Sequence, residues 1–181
     1  MHATQFIRQA LEVSEANLVK LAEDMADAPL TFPTPRGGNH PLWVLGHLAT
    51  TESQLTNVFM LGRDNPLDRW MNILGPGTTP SADPSTYPSL HEVVRAFKET
   101  RAATLKALDS MTDSDLDKPT PGCPPDFAPI VGTFGRCLFA IIYHTSIHTG
   151  QVIDARRADG RQPILFTPPN PAVQQSLASV A

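Results

Sequence analysis

The chain has little of what several common protein classes need. Its 181 residues hold two cysteines, Cys123 and Cys137, which form neither a C-x-x-C pair nor a disulfide framework, so both are read as reduced thiols. No Lys/Arg cluster occurs, and a net charge of -4 with a pI near 5.8 argues against a nucleic-acid-binding surface. The longest apolar run, Leu138 to Tyr143, is far too short to span a bilayer, and Met1 to Ala10 shows no signal-peptide pattern. A cytoplasmic protein with no membrane and no nucleic-acid partner is therefore expected. There is no serine-hydrolase elbow and no glycine-rich phosphate loop. Thr145 rather than Glu follows His144, so no H-E-x-x-H zinc motif forms, and no Glu-x-x-His occurs to build a ferritin-like di-iron site.

What is present reads as one globular, all-α domain. The chain is 41% hydrophobic and 18% charged, which places it outside the disordered class. Its 18 prolines are many for a helical protein, but they avoid four long segments. The first, Thr4 to Met25, carries Ile7, Leu11, Ser14, Leu18, Leu21 and Met25 on one stripe. Ala28 to Asn39 is turn chemistry, after which Asn39 is the expected N-cap, with Pro41 in the first turn, of a helix that stops at Gly62. Val44, Leu48, Thr51, Leu55 and Val58 form its stripe, with His47 at the edge, while Glu52 points elsewhere. The third helix opens on a capping box, Ser89 to Glu92, and its stripe runs Leu90, Val94, Phe97, Thr104 and Leu108 with Arg101 at the centre. The fourth, Thr133 to Asp159, is closed by Gly160 and buries Phe134, Leu138, Ile141, Thr145, His148 and Val152.

Two connections stand out. Arg63 to Pro88 contains Pro66, Pro76, Pro80, Pro84 and Pro88, and is long for a link inside a compact domain. In extended form it can return the chain along a helix about 30 Å long, making the second and third helices parallel. Its Trp70, Met71, Ile73 and Leu74 are too apolar for a free linker, and are expected to cover an opening of the bundle or to bury against a partner subunit. With Phe166 they exceed what one bundle hides, so a homodimer is expected. Residues 161–181 read as a C-terminal arm with Ile164, Leu165 and Phe166 docked on the bundle, which itself spans residues 1–160.

Four helices with one long crossover make a bundle, and bundles build metal sites from side chains on facing helices. His144 and His148 are four residues apart and share a face, which suits a bidentate grip on a transition metal or two histidines satisfied by neighbouring hydroxyls. His47 from the second helix is the third candidate. Three nitrogens and an open position are the ligand set of a catalytic zinc site. Gln151, three residues after His148, is placed to orient a ligand or a bound water. Arg101 has two readings: pairing with a carboxylate, or holding the anion of a small-molecule substrate. Cys123 and Cys137 are out of helical phase with the histidines.

Trp43 to Leu48 (WVLGHL) on the second helix and Tyr143 to Gln151 (YHTSIHTGQ) on the fourth resemble the DinB-like superfamily, which includes bacillithiol transferases and mycothiol-dependent maleylpyruvate isomerases. The resemblance spans roughly residues 4 to 160. It implies a four-helix bundle in up-down-down-up order, often dimeric. It also implies a divalent metal, most often zinc or nickel, held by His47, His144 and His148 and used with a low-molecular-weight thiol. Thiol-dependent S-transfer, or related isomerisation or hydrolysis, is the expected chemistry. The alternative is a non-catalytic, stress-associated dimeric bundle that holds the metal in a closed site.

Overall fold

The computed structural model describes residues 2–28 and 38–164 and is all-helical. Among the described residues no strand forms, and one isolated bridge joins Pro119 to Thr133. Leu165, Phe166 and the rest of the C-terminal arm lie outside the described residues, whereas Ile164 packs against the core. No helix among the described residues is long and apolar enough to cross a membrane.

α1 spans Ala3–Glu23. Its free N-terminal amides are satisfied from a distant loop, because the Asp113 carboxylate accepts from the Ala3 and Thr4 amides and from the Thr4 hydroxyl. Those donors hold the Asp113 carboxyl down at about 2. α2 spans Pro41–Ser53 and continues as a π-helical stretch, Gln54–Met60, ending at Gly62 with φ +62°. Its N-cap is His40, not the expected Asn39. The Trp43 amide donates to His40 Nδ1 at 3.1 Å, so the ring proton is on Nε2 and bonds the Ser81 carbonyl at 2.9 Å. Asn39 instead donates from its Nδ2 to Gln151 Oε1 at 2.9 Å.

A 3₁₀ turn at Asp68–Trp70 leads into the short α3, Met71–Leu74, within the crossover. α4 spans Leu90–Asp109 and begins at the expected capping box, with the Glu92 amide donating to Ser89 Oγ and the Ser89 amide to Glu92 Oε2. After the short α5, Ala128–Val131, α6 spans Phe134–Ala158, capped by Thr133 and followed by Gly160 at φ +74°.

The stripes read from helical periodicity on α1, α4 and α6 face the core, but α2 departs from its expected single stripe. Every α2 residue except Thr51 is buried, because this helix runs through the middle of the bundle and has no solvent face. Cross-helix contacts give the relative directions. Glu52 meets Arg101 and Thr56 meets Thr104, so α2 and α4 run in the same sense. His47 meets His144 while Leu55 meets Cys137, so α2 and α6 run oppositely. Arg8 reaches Leu105 and Asp109 while Lys98 reaches Glu23, so α1 and α4 run oppositely too.

The crossover residues settle inside this chain. Trp70 is buried and Leu74 is fully so, both within the cluster built by Leu18, Leu45 and Phe97, with Ile73 packed against it. Trp70 and Leu74 thus take the first of their two expected roles and cover the bundle, while Met71 and Ile73 stay half-buried. The approach is close: a Cβ on Gly46 would lie 2.7 Å from Leu74 Cδ1, so a larger residue at 46 would require the Leu74 side chain to shift.

At the centre, Arg101 is fully buried and its Nε and Nη2 bond the two Glu52 oxygens at 2.8 Å each. Glu52→Ala leaves that guanidinium buried without its counter-charge, and is expected to cost about 3–5 kcal/mol. Urea unfolding monitored by circular dichroism checks this, with an unchanged midpoint contradicting it.

Candidate metal centre

The three histidines come from two antiparallel helices and meet at one point. Four-residue spacing on α6 sets the His144 and His148 rings 4.6 Å apart, and the His47 ring from α2 lies 5.0 Å from each. One nitrogen from each ring falls within a group spanning no more than 4.8 Å, and the His47 and His144 Nε2 atoms are 3.3 Å apart. Nitrogens about 2.0–2.1 Å from a shared tetrahedral zinc lie about 3.3–3.4 Å from one another, so this pair is already at ligand spacing.

The outer nitrogens are engaged in a way that frees the inner ones. His47 Nδ1 donates to the Leu74 carbonyl at 2.9 Å, and His148 Nδ1 donates to Gln151 Oε1 at 2.7 Å. Each bond assigns the proton to Nδ1 and leaves Nε2 with a bare lone pair aimed at the centre. Thr50 Oγ1 also donates to the Leu74 carbonyl, and Asn39 Nδ2 donates to Gln151 Oε1, so both acceptors are themselves fixed. The Trp43 ring stacks on His47 at 4.6 Å and 6°, and its Nε1 donates to Thr78 in the crossover. His47 and His148 are buried and His144 half-buried.

Burial is also the main reason all three imidazoles are kept neutral. Desolvation lowers the pKa of His47 and His148, and lowers that of His144 to about 4 with help from the two neighbouring rings. Neutral imidazole is the ligating form, so the environment prepares a donor set of nitrogen character suited to zinc or nickel. Among the described residues no cysteine or carboxylate joins the three histidines as a fourth ligand.

The other sequence candidates divide. Gln151 stands beside the centre, where it orients His148. Arg101 takes the first of its two readings. All five of its N–H donors are used, on Glu52, Leu11 O, Ser14 Oγ and Thr145 Oγ1, leaving none for a substrate anion. Its place among the candidates for substrate binding is corrected accordingly. Cys137 is buried against the Leu55 carbonyl with its thiol pushed up to about 12, and neither cysteine joins the histidines. Helical spacing could not reveal Leu74, whose backbone oxygen orients His47. Nor could it reveal that Asn39 donates to Gln151 in place of capping α2.

Fold and site together define the class: an all-helical protein with three convergent histidines on facing helices that could hold a metal ion. Within that class, the family model of the DinB superfamily matches residues 10–152, and the chain belongs to the DinB superfamily. No curated protein matches it.

Metal content should follow this geometry. His148→Ala is expected to remove most of the bound divalent ion while the helices survive. Gln151→Leu, which leaves His148 unoriented, should weaken binding about 10–100-fold. Titration with a competing chelator measures both, and wild-type affinity in the His148 variant would remove that residue from the site.

Proposed function

We propose that this chain is a divalent-metal enzyme that activates a low-molecular-weight thiol for S-transfer, or for the related thiol-assisted isomerisation or hydrolysis of a small electrophile. The observation that carries the proposal is the convergence of three neutral imidazole nitrogens with no cysteine, carboxylate or further histidine joining them among the described residues, the ligand count of a catalytic rather than a structural site. Zinc or nickel bound there supplies positive charge that favours thiolate over thiol, or hydroxide over water, at neutral pH.

The chain's own residues supply the rest. Leu74 and Gln151 hold two rings in the ligating tautomer, and Trp43 walls one side of the centre with an apolar face. His144, half-buried where His47 and His148 are buried, marks the side from which a small molecule approaches. The reaction belongs in the cytoplasm, where low-molecular-weight thiols are kept reduced.

The chain also pairs as a homodimer, on a face different from the one its crossover suggested. Phe139, Tyr143 and Ile147 are 65%, 58% and 46% exposed and follow one another along α6, with Phe6 of α1 63% exposed. An isologous contact hides such a stripe on both copies at once. Sedimentation should find a dimer at tens of micromolar, roughly where weak pairs form, and Tyr143→Glu should shift it to monomer. A wild-type monomer at that concentration removes the homodimer from the proposal.

Cobalt-loaded protein tests the chemistry. Adding the cognate biological thiol should produce a thiolate-to-cobalt charge-transfer band, and the band should be lost in His144→Ala. If no biological thiol produces it while water exchanges freely at the ion, the chemistry is hydrolysis. If water is excluded as well, the non-catalytic bundle is the correct description.

A further inference from the structure

Thr51 lies one helical turn beyond His47 on α2, which sets their Cβ atoms about 5–6 Å apart on the same stripe. It is the one α2 residue that is not buried as a whole, yet its hydroxyl oxygen is shielded from solvent and has no hydrogen-bond partner among the described residues. That is unusual in this neighbourhood. Thr50 donates to Leu74, Thr56 and Thr104 bond each other, Thr145 donates to Ile141 and Thr149 donates to Thr145. A shielded hydroxyl left unpaired carries a desolvation cost that a bound group can recover.

The direction of the side chain follows from its neighbours. The His47 ring, one turn before it, meets His144, and the Leu55 backbone carbonyl, one turn after it, accepts from Cys137 Sγ, so Thr51 lies at a level of α2 between two contacts with α6 and shares the stripe of His47. Side chains on a helix lean toward its N-terminus. On antiparallel α2 and α6, Thr51 therefore leans toward His47 while His144 leans toward the level of Thr51. The opposite end of the centre is already filled by Trp43, Gln151 and Asn39.

We propose that Thr51 Oγ1 is a positioning group that hydrogen-bonds the exogenous ligand, thiolate or water, held on the open side of the three-histidine centre, an inference that rests on the metal-dependent reading above. A hydroxyl there donates to the ligand's lone pair and so favours its deprotonated form. It also fixes the direction in which the remaining lone pairs point. Thr51 is not itself a metal ligand.

The test compares wild type, Thr51→Val, which keeps the shape and loses the hydroxyl, and Thr51→Ser, which keeps the hydroxyl. Each is loaded with cobalt and titrated with 2-mercaptoethanol, read by the charge-transfer band. Thr51→Val should raise the dissociation constant of the thiol about tenfold or more. Thr51→Ser should stay within about twofold of wild type, with cobalt affinity the same in all three. Wild-type thiol affinity in Thr51→Val overturns the proposal, and so does equal weakening in Thr51→Ser. Loss of cobalt from Thr51→Val also overturns it, because the hydroxyl would then support the histidines and not their ligand. If wild type binds cobalt but not 2-mercaptoethanol, the thiol chemistry proposed above fails while Thr51 is still tested. The alkaline transition of the cobalt spectrum, which reports bound water, should then move up by about one pH unit in Thr51→Val, and no movement overturns the role of Thr51. A wild-type chain that binds no cobalt overturns both.

Discussion

Arg101 and Glu52 form an ion pair at the middle of the bundle on which the placement of all four long helices depends. The guanidinium, on α4, reaches Glu52 of α2, Leu11 and Ser14 of α1, and Thr145 of α6. A charge with no access to water is tolerated only where every donor has an acceptor, and here all five do. Sliding any one helix by a turn strands a buried donor or a carboxylate oxygen, so the network penalises every other register. The three-histidine group inherits this. Glu52 is five residues past His47 on α2, and Thr145 follows His144 directly on α6, so the contact that sets the helix register also brings the imidazoles level.

The crossover completes the centre from outside. Leu74 presses its side chain against Gly46 and its carbonyl receives His47 Nδ1–H, so packing and polarity are delivered by one residue. A main-chain acceptor is a sound choice for orienting a ligand, since it has no rotamer to lose and no charge to desolvate. Gln151 does the same for His148 with a side chain, and needs Asn39 to hold it. His144 has no such outer bond among the described residues and is the least enclosed of the three. The two anchored rings are the rigid part of the three-histidine group, and His144 is its half-buried member.

Much of this was legible in the residues. Four segments without proline beyond the first turn, the apolar stripes of α1, α4 and α6, the Ser89 capping box and Gly62 and Gly160 as helix stops all follow from local rules. These work because capping and amphipathicity are properties of a few neighbouring residues. The His144/His148 spacing was equally local. His47 is a candidate from its place at the edge of the stripe of a facing helix and from the WVLGHL resemblance. Asn39 was misread as an N-cap because Asn and His can both accept an amide bond, and only the approach of α6 decided which did. Trp70 and Leu74 looked like partner-facing surface because composition reports that a residue must be buried, not against what.

The sequence by itself determined the helices, their faces, and the residue types able to hold a metal, since each depends on contacts within a few turns of one chain segment. Tertiary structure alone decided that α2 is buried on all sides, so that its hydrophobic period carries little information. It alone decided that Arg101 spends its five donors inside the bundle, and that a backbone oxygen from the crossover sets the His47 tautomer. These outcomes depend on which segments far apart in the chain come within 3 Å of one another, and such distances are fixed by the packing of the whole core.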